Sequence, residues 1–261
     1  MATTDAAPPR ILNGPLVLPG DAIDSSQIPA NKKKPLRLGP GLRHVPPAEI
    51  VPTVAGQLVA DRAKNTLWVE YNGGRYVPSA GDLVIGQVHH SSADFYHVLL
   101  TPHTALALLP TLSFESATKK TRPVLPAGSL VYARVALADR HMDAAELECV
   151  SPATGRADGL GPLAGGTVVP VSRGFARRLL MGSGGGGGSG SGTAGVVVLE
   201  ELGSQGLAFE TAVGRNGRVW VNSESVGTVV VVGRALRETD EGNLGVEAQK
   251  KMVRKLVKEM S

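Results

Sequence analysis

The 261 residues suffice for one to three domains, and 42% hydrophobic against 19% charged residues is enough to pack a core, which excludes wholesale disorder. The formal charge is +4, with 27 basic and 23 acidic side chains, so bulk charge alone does not make a strong nucleic-acid binder. The excess of Gly (33) and Pro (18) points to turns, short strands and linkers rather than a helical bundle, and the lack of a three-residue Gly period excludes a collagen-like chain.

A single cysteine, Cys149, excludes a disulfide framework and a cysteine-based zinc site; it reads as a small core residue on a strand. No run approaches the ~18 apolar residues of a membrane helix, and the opening MATTDAAPPR lacks an apolar signal segment. The expectation is a soluble, intracellular protein with no membrane partner.

Residues 1–45 are Pro-rich and read as irregular, with a basic run at Lys32, Lys33 and Lys34. Ile50 to Val59 and Thr66 to Tyr71 read as strands, and Asn72-Gly73-Gly74 as a turn, which closes a β-rich domain over residues 1–75. Residues 76–151 carry five strand signals: Leu83 to Val88, Phe95 to Leu100, Ala105 to Leu109, Leu130 to Ala138 and Glu146 to Val150. One long connection, Thr111 to Gly128, precedes the fourth, the pattern of a small Greek-key barrel of the OB type.

Residues 152–261 mix helix and strand. Val171 to Leu180 reads as a helix with Val171, Phe175 and Leu179 on its apolar face and Arg177 and Arg178 on a solvated flank. Gly182 to Gly195 holds nine glycines in fourteen residues and reads as a flexible surface insertion. Val196 to Leu199, Leu207 to Val213 and Arg218 to Val221 read as strands. Val226 to Val232 is ambiguous, since its β-branched residues favour a strand while its apolar spacing and Ser223 fit a helix. Val246 to Met260 is an amphipathic helix whose basic side, Lys250, Lys251, Arg254, Lys255 and Lys258, reads as a solvated face.

The motifs of catalysis are missing. No histidine pair has the spacing of a His-Glu-x-x-His zinc site, no Gly-x-Ser-x-Gly turn or phosphate loop occurs, and the paired acids look like exposed turn residues. The chain reads as non-catalytic, with no metal and no cofactor. One cluster stands out. The barrel segment is net negative, with five basic and seven acidic residues, yet Lys119, Lys120 and Arg122 fall within four positions of its longest loop. Such a loop can grip two or three phosphates of a single strand without bulk positive charge. The aromatic candidates for base stacking are few: Phe95, Tyr96, Phe114 and Tyr132, with Phe114 expected under the loop. Gly214-Arg215-Asn216-Gly217 contains the Gly-x-x-Gly of a KH clamp, but that clamp joins two helices, whereas here Asn-Gly lies between strand-like runs and reads as a hairpin turn.

Several motifs recur in order in one family: Val17 to Asp21, Gly39 to Arg43, Arg75 to Pro78 followed by Gly81-Asp82, and Ser113-Phe114-Glu115 with Ala117 to Lys120 and Arg122-Pro123. They continue with Leu130 to Arg134, Phe175 to Arg177, and Val213-Gly214-x-Asn216-Gly217-Arg218-Val219-Trp220-Val221. The chain resembles the RNA exosome cap subunits of the ribosomal RNA-processing protein 40 family (exosome component 3 in animals). It departs from their pattern at Ser129, where Gly-Asp is usual, and in the Gly182–Gly195 stretch.

The resemblance implies a multidomain, β-rich α+β chain: an N-terminal β domain at 1–75, an S1-type OB barrel at 76–151 and a KH domain at 152–261, with a flexible loop at 182–195. It implies a non-catalytic RNA-binding cap subunit that stabilises a ring of RNase PH-like subunits, alongside other cap subunits, and guides single-stranded RNA to associated 3′→5′ nucleases. The nucleus, the nucleolus and also the cytoplasm are the expected locations. Lys119, Lys120, Arg122 and, more weakly, Arg43 would touch RNA. Gly214, Asn216, Gly217 and Trp220 would form a structural turn between the KH and S1-type domains. The alternative is a free-standing RNA-binding module of RNA processing or translation.

Overall fold

A computed structural model of the chain describes residues 11–29, 34–47, 49–62, 64–71, 75–102, 104–139, 141–182 and 196–260. The chain divides into two compact units, Met1–Gly73 and Gly74–Ser261.

The first unit holds β1 (Ile11–Val17), β2 (Arg37–Leu38), β3 (Leu42–Val45), β4 (Glu49–Pro52), β5 (Gly56–Asp61) and β6 (Thr66–Glu70). A four-stranded sheet runs β1-β5-β6-β2, and β3 pairs with β4 as a separate ribbon. Val17, Leu58, Ala60, Leu67 and Val69 form its core. The segment before residue 45 is therefore not irregular throughout. Gly14 and Pro15 break the alternation of β1 and shift its register between Asn13 and Leu16, so a strand held by long-range pairing to β5 is hidden from local pattern. The run from Ile50 to Val59 is two strands rather than one. Gly56 enters β5 so close to β6 that a Cβ there would lie 2.3 Å from the Glu70 carbonyl oxygen. Gly39-Pro40-Gly41 crosses β6: the Gly39 N–H donates to Leu67 O (2.7 Å) and the Val69 N–H to Pro40 O (3.0 Å). Any side chain at Gly39 would meet Trp68 at 2.7 Å. Lys32 and Lys33 lie outside the described residues.

The second unit opens with a barrel of β7 (Leu83–Ser91), β8 (Phe95–Leu99), β9 (Ala107–Pro110), β10 (Leu130–Leu137) and β11 (Glu146–Glu148). The pairings β9-β8-β7-β10-β11 close through a parallel β11–β9 contact, which is the five-stranded OB topology. A further strand, β12 (Gly161–Leu163), adds to the open side of β10 beyond residue 151. Alternate residues fill the barrel, among them Val84, Val88, Tyr96, Val98, Leu109, Val131, Ala133, Val135 and Leu147. Cys149 is fully buried in the same core, and burial, with Glu148 beside it, pushes its thiol up to about 12.

The rest of the chain runs β13 (Thr167–Pro170), α1 (Arg173–Gly182), α2 (Val198–Ser204), β14 (Glu210–Gly214), β15 (Arg218–Asn222), α3 (Val226–Glu241) and α4 (Val246–Met260). The sheet order is β13-β15-β14, all antiparallel, with the helices packed on one core. Ser172 begins α1: its Oγ accepts from the Phe175 N–H (3.2 Å) and donates to Asp240 Oδ1 on α3 (2.5 Å).

Two segments differ from the sequence reading. Val196 to Leu199 is not a strand. Val198 and Leu202 lie one turn apart and both are buried, while the Val197 N–H donates to Gln249 Oε1 on α4 (2.8 Å), so tertiary contacts make α2. The ambiguous valine run is helical. Val231, Val232, Ala235, Leu236 and Thr239 are buried at helical spacing, and Gly233 lets the helix approach Val169 of β13. That packing overrides a propensity difference of under ~1 kcal/mol per residue. The 183–195 stretch lies outside the described residues.

Candidate nucleic-acid interface

The long loop between β9 and β10 is fastened to the barrel at several points. Phe114 is buried with its ring edge-on to Tyr96 (6.4 Å between centroids), and Leu125 joins the same core. The Tyr96 hydroxyl donates to Pro123 O (2.5 Å), and Glu115 accepts from the Ala157 N–H (2.8 Å). Between these anchors residues 116–122 form a tight turn. Ser116 sits at φ 55°, and the Thr118 N–H donates to Thr121 Oγ1 (3.0 Å), while the Arg122 N–H donates to Thr118 O (2.9 Å). Lys119 and Lys120 occupy the apex. Both are exposed, and neither ammonium has an acidic or acceptor partner among the described residues.

Arg122 stands differently. It is half-buried, and its guanidinium donates to Ala93 O in the β7–β8 turn (3.2 Å) and to Thr111 Oγ1 (2.9 Å). It pins the base of the turn that presents the two lysines. The structure thus brings the three basic residues onto one loop and divides them into two that face solvent and one that braces. Arg43 is exposed on β3 of the first unit, away from this loop in sequence.

Gly214–Gly217 is the hairpin between β14 and β15, while the junction of α1 and α2 is the glycine stretch outside the described residues. The hairpin plugs into the barrel. Asn216 is 6% exposed; its Nδ2 donates to Ile85 O and Leu100 O (both 2.8 Å), and its Oδ1 accepts from the Ile85 N–H (3.3 Å). The Arg215 N–H donates to Leu83 O (2.7 Å), and its side chain pairs with Asp82 (3.2 Å). Arg218 reaches Leu99 O (3.4 Å). Both glycines are required by space: a Cβ on Gly214 would lie 2.8 Å from the Ile85 N, and one on Gly217, at φ 78°, would lie 2.6 Å from Val171 O. Trp220 packs with Ile85 and Ala212, and its indole donates to Gly165 O (2.9 Å).

Two further residues, Tyr76 and Tyr132, complete this seam. The Tyr76 hydroxyl donates to Asp82 (3.0 Å), and burial together with that carboxylate pushes its pKa up. The Tyr132 hydroxyl donates to Val213 O (3.1 Å), and burial pushes it up to about 12. The role of Tyr132 was not read from sequence, because a partner 81 residues away leaves no local signal. The seam also removes Tyr132 from the set of stacking residues. Tyr96 and Phe114 are buried in the barrel and Tyr132 is half-buried, so of the four aromatic candidates only Phe95, at 36%, is exposed.

The basic side of α4 is laced to acids: Lys250 to Glu247 (3.2 Å), Arg254 to Glu201 on α2 (3.1 Å) and Lys255 to Glu259 (3.7 Å). Arg178 lies 5.8 Å from the Phe175 ring, and both it and Arg177 are half-buried rather than fully solvated. Among the described residues no group of three His, Cys, Asp or Glu is arranged to hold a metal ion, and no helix is long and apolar enough to cross a membrane.

Comparison with known proteins follows the same divisions. Residues 76–161 match the S1 domain of exosome complex component RRP40, residues 36–75 match the domain described as the exosome complex exonuclease Rrp40 N-terminal domain, and residues 166–227 match a KH domain. The chain is 38% identical over 247 residues to exosome complex component rrp40 of Schizosaccharomyces pombe, covering 93% of this chain and 94% of that protein. It is 34% identical over 232 residues to exosome complex component RRP40 of Saccharomyces cerevisiae (87% and 89% covered) and 33% identical over 240 residues to that of Drosophila melanogaster (88% and 95%). Near-complete coverage at these identities, with the three matched domains in the same order as the folded modules, places the chain in the family of exosome complex component RRP40.

Proposed function

We propose that this chain is a non-catalytic, RNA-binding cap subunit of the exosome, which stabilises a ring of RNase PH-like subunits and guides single-stranded RNA towards 3′→5′ nucleases carried by other chains. The observation that carries the RNA-guiding reading is the braced turn at 116–122. It holds the Lys119 and Lys120 ammonium groups at an exposed apex, without partners among the described residues, in a barrel segment of net negative charge. An unneutralised pair on a rigid turn is suited to phosphates, since little side-chain partner exchange is needed to engage them. Arg122 supports the grip by bracing, and Arg43 is a weaker RNA contact. The hairpin seam supports a scaffold role, because the KH and S1 modules are joined by buried hydrogen bonds and can present one fixed surface to neighbouring subunits. Nucleus, nucleolus and cytoplasm are the proposed locations.

The test is the salt dependence of RNA capture by the assembled complex carrying this chain. Lys119→Ala with Lys120→Ala should lower the slope of log K against log salt by about 1.4, at ~0.7 per single-strand phosphate contact. An unchanged slope overturns the assignment. Purification of the tagged chain from its native cells should bring down ring subunits; a solitary chain refutes the cap reading. Labelled RNA should stay intact when incubated with the purified chain and magnesium or manganese.

A further inference from the structure

The β7–β8 ribbon, whose turn Arg122 holds, carries three histidines in contact. The pairing runs Val88↔Val98 and then His90↔His97, so His89 is an extra residue in β7. This bulge breaks the alternation and turns both His89 and His90 outward, a device that re-aims side chains. The His90 and His97 rings are stacked, with centroids 4.1 Å apart and planes 12° from parallel. His89 meets His90 edge-on at 5.2 Å, with their Nδ1 atoms 2.9 Å apart. His89 and His90 are exposed and His97 is half-buried. Phe95 lies two residues from His97 along β8 with 36% of its surface open. Ala93, whose carbonyl Arg122 holds, is three residues from His90.

We propose that His89, His90 and His97 form a second contact for single-stranded polynucleotide, one nucleotide wide, that tightens as pH falls. The chemistry is that of a nucleotide's two halves. A nucleobase extends the imidazole stack on its open face, as bases do on aromatic platforms of OB barrels. Protonation then supplies a charged N–H donor for the adjoining phosphate. In the free chain His90 stays neutral more readily than an isolated histidine. Desolvation within the stack, then the proximity of His97 and His89, hold His90 below the ordinary histidine range. The titratable groups acting on it are His89 on its own strand and His97 on β8, and no carboxylate is among them. A bound phosphate opposes that repulsion, so proton and phosphate uptake are linked, and affinity rises as pH drops through the histidine range. The proposal rests on the reading of this chain as an RNA-binding subunit, but on different side chains from the lysine turn.

The test uses the full-length chain and a labelled oligouridylate, with affinities taken from fluorescence and from the histidine ring resonances in NMR at pH 8 and pH 5.5. The wild-type chain should bind about tenfold more tightly at pH 5.5, one contact's worth. His90→Phe with His97→Phe keeps the stack and should retain the pH 8 affinity while losing the gain on acidification. His90→Ala with His97→Ala should bind about tenfold more weakly at pH 8. An abasic oligonucleotide should show the acid gain but no loss from the Ala pair. Lys119→Ala with Lys120→Ala should keep the acid gain while its salt slope falls. An acid gain equal in the Phe pair and the wild type, or a pH 8 affinity untouched by the Ala pair, overturns the proposal. A silent lysine pair beside responsive histidines would instead sink the loop reading and leave the cluster standing.

Discussion

Replacing Asn216 with Ala should uncouple the barrel from the hairpin that plugs it. The side chain makes three hydrogen bonds to barrel backbone, two from Nδ2 and one to Oδ1, in a site 6% exposed. At about 1 kcal/mol net for each, the loss is about 3 kcal/mol, and more if a freed carbonyl finds no water. For a unit of this size that corresponds to a fall in Tm of about 6–12 °C. Asn216→Asp should cost more, because it sets a carboxylate oxygen against the Ile85 and Leu100 carbonyls in a buried site. The assay is urea unfolding followed by fluorescence in a Trp68→Phe background, so that Trp220, which packs on Ile85 at the seam, is the sole reporter. The Ala variant should lose the seam signal before the far-ultraviolet circular dichroism changes, with coincident transitions in the parent. A cost below about 0.5 kcal/mol, or an Asp variant as stable as the parent, would refute the claim that Asn216 holds the modules together.

Three other outcomes follow from the geometry. Gly217→Ala forces a side chain into a positive-φ position with Val171 O 2.6 Å away, so it should destabilise the chain by at least about 1–2 kcal/mol in the same urea assay, whereas Arg215→Ala should cost less than about 1 kcal/mol. Arg122→Ala should loosen the 116–122 turn, seen as faster amide exchange at Thr118 to Thr121, and should weaken RNA capture with a smaller change in salt slope than the lysine pair gives. Above pH 9 stability should decline. The folded Cys149 thiol and Tyr132 hydroxyl are both raised to about 12, so the unfolded chain releases their protons first and gains as pH climbs to that value. Alkaline unfolding monitored by circular dichroism should shift to higher pH in Tyr132→Phe, and Cys149 should react with a thiol reagent at pH 8 only as the barrel opens.

The amino-acid sequence by itself determined the local elements whose signal is short-ranged. The five barrel strands announce themselves through alternating apolar residues, and Val246–Met260 through its helical stripe. The Asn216-Gly217 hairpin is legible because φ 78° at Gly217 favours glycine whatever surrounds it. The lysine turn was visible as a charge cluster in an acidic segment. Tertiary structure decided what depends on distant partners. β1 exists through its pairing with β5, and α2 through the burial of Val198 and Leu202 and the bond from Val197 to Gln249. α3 is a helix despite its valines because its buried stripe outweighs their intrinsic preference. Tertiary contacts also separated Arg122, committed to Ala93 and Thr111, from the lysines it braces, and a bulge that no local pattern reveals gathered three histidines on one ribbon. Propensity and periodicity act over a few residues, whereas burial and hydrogen-bond satisfaction are settled only when remote segments meet.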